Sequence, residues 1–239
     1  MVKFDIITIF PKIFDSYFSE TILNRAQKKG WIEIKTHDLR QWTEDNHKSV
    51  DDSPYGGGPG MVLKIGPIYK AVQFLKSKIK NQKSKLKGKS KKVRVILFSA
   101  KGKPYAQEDA RRLAQYEQII MICGRYEGVD ERVSEHIADE ELSVGNFVLT
   151  GGEIPAMIVV DTVSRLIPGV LGKKESLEEE SFSEVISDKC SVISSYLEYS
   201  QYTRPEEFNG WKVPEVLLSG DHKKIEEWRD KKSKFKNTK

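Results

Sequence analysis

A chain of 239 residues, 38% apolar and 10% aromatic, can fill the core of one large or two modest domains, which excludes wholesale disorder. It carries 31% charged residues, and no run approaches the roughly eighteen consecutive apolar residues that a membrane span needs. The start MVKFDIITIF has no basic n-region or small-residue cleavage site, so the expected location is cytoplasmic, and two cysteines, Cys123 and Cys190, exclude a disulfide framework and a four-ligand zinc site.

The first strand is expected over Val2 to Phe10, a mostly apolar, β-branched run. Pro11 suits a first helical turn, and Ile13, Phe14, Phe18, Ile22 and Leu23 recur at helical spacing up to a C-cap at Gly30. Trp31 to His37 alternates as a half-buried strand does. After a glycine-rich stretch Pro67 opens a second helix, which dissolves into KSKIKNQKSKLKGKSKK at 76–92, nine lysines without an acid. That run reads equally as a solvated segment or as nucleic-acid contact, and the net charge of +5 suggests a polyanionic partner only mildly.

From there strands and helices alternate: strand 93–99, helix 106–116, strand 118–123, helix 129–137, strand 142–149 and helix 155–166. Such alternation implies an α/β fold with a mostly parallel sheet covered on both faces. Residues 1–168 form this domain, 169–203 are an acidic interdomain linker, and 204–239 read as a small helical domain with Trp211, Val213, Val216, Leu217, Leu218, Ile225 and Trp228 as its core.

Three strands run into glycine-bearing segments: SAKGKP at 99–104, CGRYEG at 123–128 and TGGE at 150–153. In an open parallel sheet the carboxyl ends of the strands converge on the ligand crevice, so the trio predicts a pocket. The dinucleotide, P-loop and HExxH signatures are absent. YGGGPGM at 55–61 is more specific, because three consecutive glycines before Pro-Gly are entropically costly unless the backbone must approach another surface closely.

Together DDSPYGGGPGM (51–61), CGRYEGVDERV (123–133), SVGNFVLTGGE (143–153), SRLIPGVLG (164–172), YTRP (202–205) and VPEVLLSGDH (213–222) resemble the bacterial tRNA (guanine-N1)-methyltransferases, in the same order over residues 1 to about 230. The resemblance implies a SPOUT-type fold with a C-terminal trefoil knot, a homodimer with composite active sites, and methylation by S-adenosylmethionine of the guanosine at position 37, beside the anticodon. It further implies that Gly124, Val144, Gly145, Asn146, Phe147, Val148, Leu149, Gly151 and Gly152 line the cofactor, with Leu97 and Phe98 beside the adenine and Glu127 near the methionine moiety. Tyr55, Gly57, Gly58 and Arg204 fall on the side of the tRNA anticodon stem-loop, and the family's dependence on Mg²⁺ comes with no ligand cluster here to mark a site.

Methyl transfer to N1 of guanine needs a general base for the N1 proton and stabilisation of charge developing at O6. By motif Arg165 supplies the cation; its plainer reading is an i,i+4 pair with Asp161. The base aligns with Glu180, a glutamate where the family has aspartate, with Glu178 and Glu179 as register alternatives. A second linker acid aligns with Glu198, or with Asp188 under a competing alignment, because about ten residues, ISDKCSVISS, are inserted before YLEYSQYTRP. Ala100 and Lys101 replace Pro-Gln, Asn146 and Phe147 replace Asp-Tyr, and Ser200 replaces proline. The rival readings are a SPOUT ribose 2′-O-methyltransferase, against which YGGGPGM and the linker acids argue, and a non-catalytic SPOUT-fold RNA-binding protein.

Overall fold

The expected first strand forms as β1, Val2–Thr8, in a computed structural model that describes residues 1–83, 92–172, 181–182, 184–185 and 194–237. Pro11–Phe14 is a 3-10 turn, and the helix expected beyond it is split into α1, Asp15–Phe18, and α2, Thr21–Lys28. Gly30 lies past the end of α2 at φ 69°, and the Trp31 N–H returns to the Ala26 carbonyl, so the glycine closes the helix as a left-handed residue must. Strand β2, Ile32–Asp38, follows. A short hairpin unforeseen in the sequence, β3 Asp51–Asp52 against β4 Val62–Leu63, carries the glycine-rich loop between its arms.

Beyond it come α3, Ile65–Lys83; β5, Val93–Pro104; α4, Gln107–Leu113; β6, Gln118–Cys123; α5, Arg132–His136; β7, Glu140–Ser143; and α6, Glu153–Arg165. The sheet runs β2-β1-β6-β5-β7, and every neighbouring pair is parallel. Alternate side chains enter opposite cores. Phe4, Ile6, Ile96, Phe98, Ile119 and Met121 pack with α2, α4 and α6, whereas Ile7, Val95, Leu97, Ile120 and Ile122 pack with α3 and α5. Helices on both faces explain why these strands read as nearly continuous apolar runs.

Two strand boundaries differ from expectation. SAKGKP is not a loop after the strand: β5 shifts register between Phe98 and Lys103 and resumes pairing, Lys103 with Leu142 and Pro104 with Ser143. Conversely, the strand expected over 142–149 stops at Ser143, because the Ser143 hydroxyl donates to the Gly145 carbonyl (3.0 Å) and turns the chain out of the sheet. Phe147 and Leu149, which hydrophobic periodicity alone would bury, leave the sheet there, and Phe147 is 56% exposed.

The chain divides into two compact units, Met1–Gly172 and Lys173–Lys239. In the second, helices Glu215–Leu218 and His222–Lys232 accompany a hairpin, Glu207–Phe208 with Trp211–Lys212, and a three-stranded sheet of Glu184–Val185, Ser194–Leu197 and Lys234–Asn237. The reading of 204–239 as helical thus omits strands. The turn Asn209-Gly210, at φ 52° and 81°, is the usual tight hairpin connection, a signal that the helical reading passed over. Trp211, expected in a core, is 72% exposed on that hairpin. No described helix is long and apolar enough to cross a membrane.

Candidate functional site

The register shift of β5, the turn after β6, the carboxyl end of β7 and the segment before α6 surround a cavity of about 300 Å³, at the lower end of ligand-site volumes. Leu97 and Phe98, just before the register shift within β5, form its apolar side, 2% and 5% exposed. Gly124 and Glu127 come from the turn after β6; Val144, Gly145, Phe147, Val148, Leu149, Gly151 and Gly152 come from the loop between β7 and α6. Asn146 is the one predicted cofactor residue that is not on the wall.

Close passage of backbone explains several glycines. A Cβ on Gly152 would stand 2.7 Å from Cys123 Cα and 3.1 Å from the Gly124 nitrogen, while the Gly152 N–H donates to the Gly124 carbonyl at 3.0 Å. At Gly102 a Cβ would lie 2.7 Å from the backbone of Glu141 and Leu142. These positions leave no room for a side chain, so the chain segments pass in direct backbone contact there.

Sequence reasoning missed the polar support of this wall. Glu153, the first residue of α6, is 1% exposed and accepts from the Thr8 hydroxyl (2.7 Å) and from Arg125 Nε (2.9 Å). Arg125 also donates from Nη1 to the Thr150 carbonyl (3.2 Å), and its guanidinium lies 4.8 Å from the Phe10 ring centroid. A clue existed: an arginine and a glutamate each adjoin a glycine segment, in CGRYEG and TGGE. Burial, assisted by the Glu153 charge, pushes the Cys123 thiol well above its ordinary pKa, so this buried cysteine is an inert neighbour. Tyr126, on the wall at φ 59°, bears a left-handed backbone conformation rare for an aromatic residue.

The YGGGPGM loop is mounted beside this cavity. The Glu127 N–H donates to the Met61 carbonyl (3.0 Å), Leu63 bridges Val129, and a Cβ on Gly60 would stand 2.5 Å from Glu127 Cγ. Tyr55 is fully exposed, and Gly57 and Gly58 hold φ of 79° and 124° with open space where a Cβ would be. Arg165 ends α6. One turn earlier, Asp161 accepts the Tyr17 hydroxyl, a hydrogen bond that pushes the Tyr17 pKa up to about 12.

In the second unit Glu198 and Ser181 make a reciprocal pair: the Ser181 N–H donates to Glu198 Oε1, and the Glu198 N–H donates to Ser181 Oγ, both at 3.1 Å. Arg204 is exposed, and Tyr199 and Tyr202 meet the Trp228 ring edge-on, with Arg229 over Tyr199. Glu178, Glu179, Glu180 and Asp188 lie outside the described residues. Among the described residues no three His, Cys, Asp or Glu side chains converge as a metal site would require.

Residues 2–239 match the family described as tRNA (Guanine-1)-methyltransferase TrmD. Proteins named tRNA (guanine-N(1)-)-methyltransferase are similar over nearly the whole chain. One from Geobacter sp. (strain M21) is 48% identical over 237 residues, 99% of this chain and 86% of its own. Another from Dictyoglomus turgidum is 50% identical over 233 residues, 98% and 85%. A third, from Clostridioides difficile, is 47% identical over 234 residues, 97% and 92%.

Proposed function

The chain belongs to the tRNA (guanine-N1)-methyltransferase family, and from that premise we propose that it methylates N1 of the guanosine at position 37 of tRNA with S-adenosylmethionine as donor. The observation that carries this reading is the glycine-walled cavity formed by the register shift of β5 and the segments that follow β6 and β7. Its donor set suits the cofactor: Leu97 and Phe98 offer apolar surface for a purine, and Gly124, Gly145, Gly151 and Gly152 bring backbone close to a ligand without side-chain obstruction. When bound, the sulfonium supplies an electrophilic methyl group. The SPOUT knot belongs to the same reading and rests on the family membership.

The protein's own part is positioning, proton removal and charge stabilisation. Glu180 takes the N1 proton, which raises electron density on the base, and Arg165 stabilises the negative charge that develops at O6. Glu198 acts through its neighbour: by pinning Ser181, the residue that follows Glu180, it fixes where the base begins its reach. Tyr55, Gly57, Gly58 and Arg204 contact the anticodon stem-loop, which must present the N1 edge of an unpaired or flipped guanosine. A homodimer completes each site, with the cavity from one subunit and the acids of residues 173–239 from its partner. Exposed Phe10, Ile13, Tyr17 and Ile154 provide apolar surface for that association.

The test is methyl incorporation from labelled S-adenosylmethionine into a transcript with guanosine at 36 and 37, beside one with adenosine at 37, followed by nuclease mapping. Label confined to N1 of guanosine 37 is expected. Cofactor binding without label would point instead to a fold-retaining RNA-binding protein.

A further inference from the structure

We propose that Arg125, Glu153 and Thr8 form a positioning unit that sets the affinity of the cavity for S-adenosylmethionine without touching the reacting atoms. This rests on the function proposed above. The loops that form the cavity wall are rich in glycine, and at Gly152 close passage leaves no room for a side chain. The Gly124 and Gly152 backbones meet through one hydrogen bond of 3.0 Å and a bridge between Arg125 and Gly151. Side chains supply the rest of the hold.

Glu153 carries that hold from below. Its buried carboxylate stands at the start of the thirteen-residue α6, where a negative charge is favoured by the helix, and spends one oxygen on each of two elements. Oε1 takes the hydroxyl of Thr8, at the end of β1, and Oε2 takes Arg125 Nε, from the loop after β6. Arg125 then reaches across to the Thr150 carbonyl on the loop before α6, and Phe10 covers its other face. One guanidinium and one carboxylate thereby tie three chain segments, two of which wall the cavity. The planar fork of arginine can make both contacts at once and lysine cannot. A carboxylate this deeply buried also has to be paired, so the unit is either complete or costly.

The role predicts a specific kinetic signature. Loosening the wall weakens reception of the cofactor, and leaves the base, Arg165 and the tRNA contacts unchanged. In Glu153→Gln the Michaelis constant for S-adenosylmethionine should rise about tenfold or more, while kcat and the Michaelis constant for tRNA stay within about threefold. Arg125→Lys, in which the charge survives and the second contact does not, should show the same split and carries the test if Glu153→Gln does not fold. Equilibrium binding of S-adenosylhomocysteine to each folded variant and to the wild-type protein separates the possible failures. Wild-type affinity in both variants overturns the positioning unit, as does a loss of active fraction with unchanged Michaelis constants. A wild-type protein that does not bind S-adenosylhomocysteine overturns the proposed function instead.

Discussion

Two glycines a few ångströms apart play different parts at the cavity. At Gly152 the backbone is ordinary, yet a Cβ would stand 2.7 Å from Cys123 Cα, main chain that cannot rotate away. At Gly124 an added Cβ meets Val129 Cγ1 at 3.6 Å and backbone no nearer than 3.8 Å. Gly152→Ala should therefore force the loop off β6, costing about 1–3 kcal/mol in denaturant unfolding, whereas Gly124→Ala should leave stability within about 0.5 kcal/mol. Equal losses in the two variants would contradict the idea that close chain passage fixes Gly152. The sequence marks both residues identically, as glycines beside a strand end, and only the path of a chain segment thirty residues away distinguishes them.

At the scale of elements, β7 poses a question, since a four-residue strand on the edge of a sheet has little apolar grip of its own. Ion pairs hold it. Glu140 accepts Arg94 Nε at 2.8 Å and Arg112 Nη2 at 2.7 Å, and Arg112 reaches on to Asp109 in α4 at 3.0 Å. Burial works against the Glu140 charge, but the two arginines outweigh it and hold the carboxyl below its ordinary pKa. A lowered folded-state pKa means stability that is present above the ordinary carboxylate range and lost as pH falls through the folded value. Because Arg112 remains 37% exposed, solvent discounts the pair, and Glu140→Gln should cost about 1–2 kcal/mol at pH 7. Urea unfolding should show that difference shrinking once the pH drops below about 4, and a constant difference would refute the ionic account. None of this network was legible in the sequence, because Arg94, Arg112 and Glu140 lie in three elements with no shared spacing. The strands themselves were legible for the opposite reason: β1 and β6 are buried on both faces, and mostly apolar runs announce that locally. The loop after β7 misled because Val144, Phe147, Val148 and Leu149 have strand composition, while the turn at Ser143 that ejects them depends on a single hydroxyl.

Across the whole molecule, the parallel sheet gives the chain two poles. The cavity occupies the carboxyl ends of the strands, whereas β5 begins at Val93 on the opposite edge, where the nine-lysine run of 76–92 ends. In the proposed reaction the cation is Arg165, at the end of α6. Arg165 and the cavity belong to residues 1–172, and the proposed base belongs to residues 173–239, two units that are each compact alone. If each site draws one unit from each subunit of a dimer, two inactive variants can repair each other. Arg165→Ala keeps the base and loses the cation; Glu180→Ala keeps the cation and loses the base. In a heterodimer of the two, one site then combines both intact parts and the other combines both defects. Random reassortment makes half of the dimers mixed, with one working site in two, so the mixture should recover about a quarter of wild-type methylation after subunit exchange. A site built within one chain would instead leave every site in every dimer damaged, and the mixture as inactive as its parents.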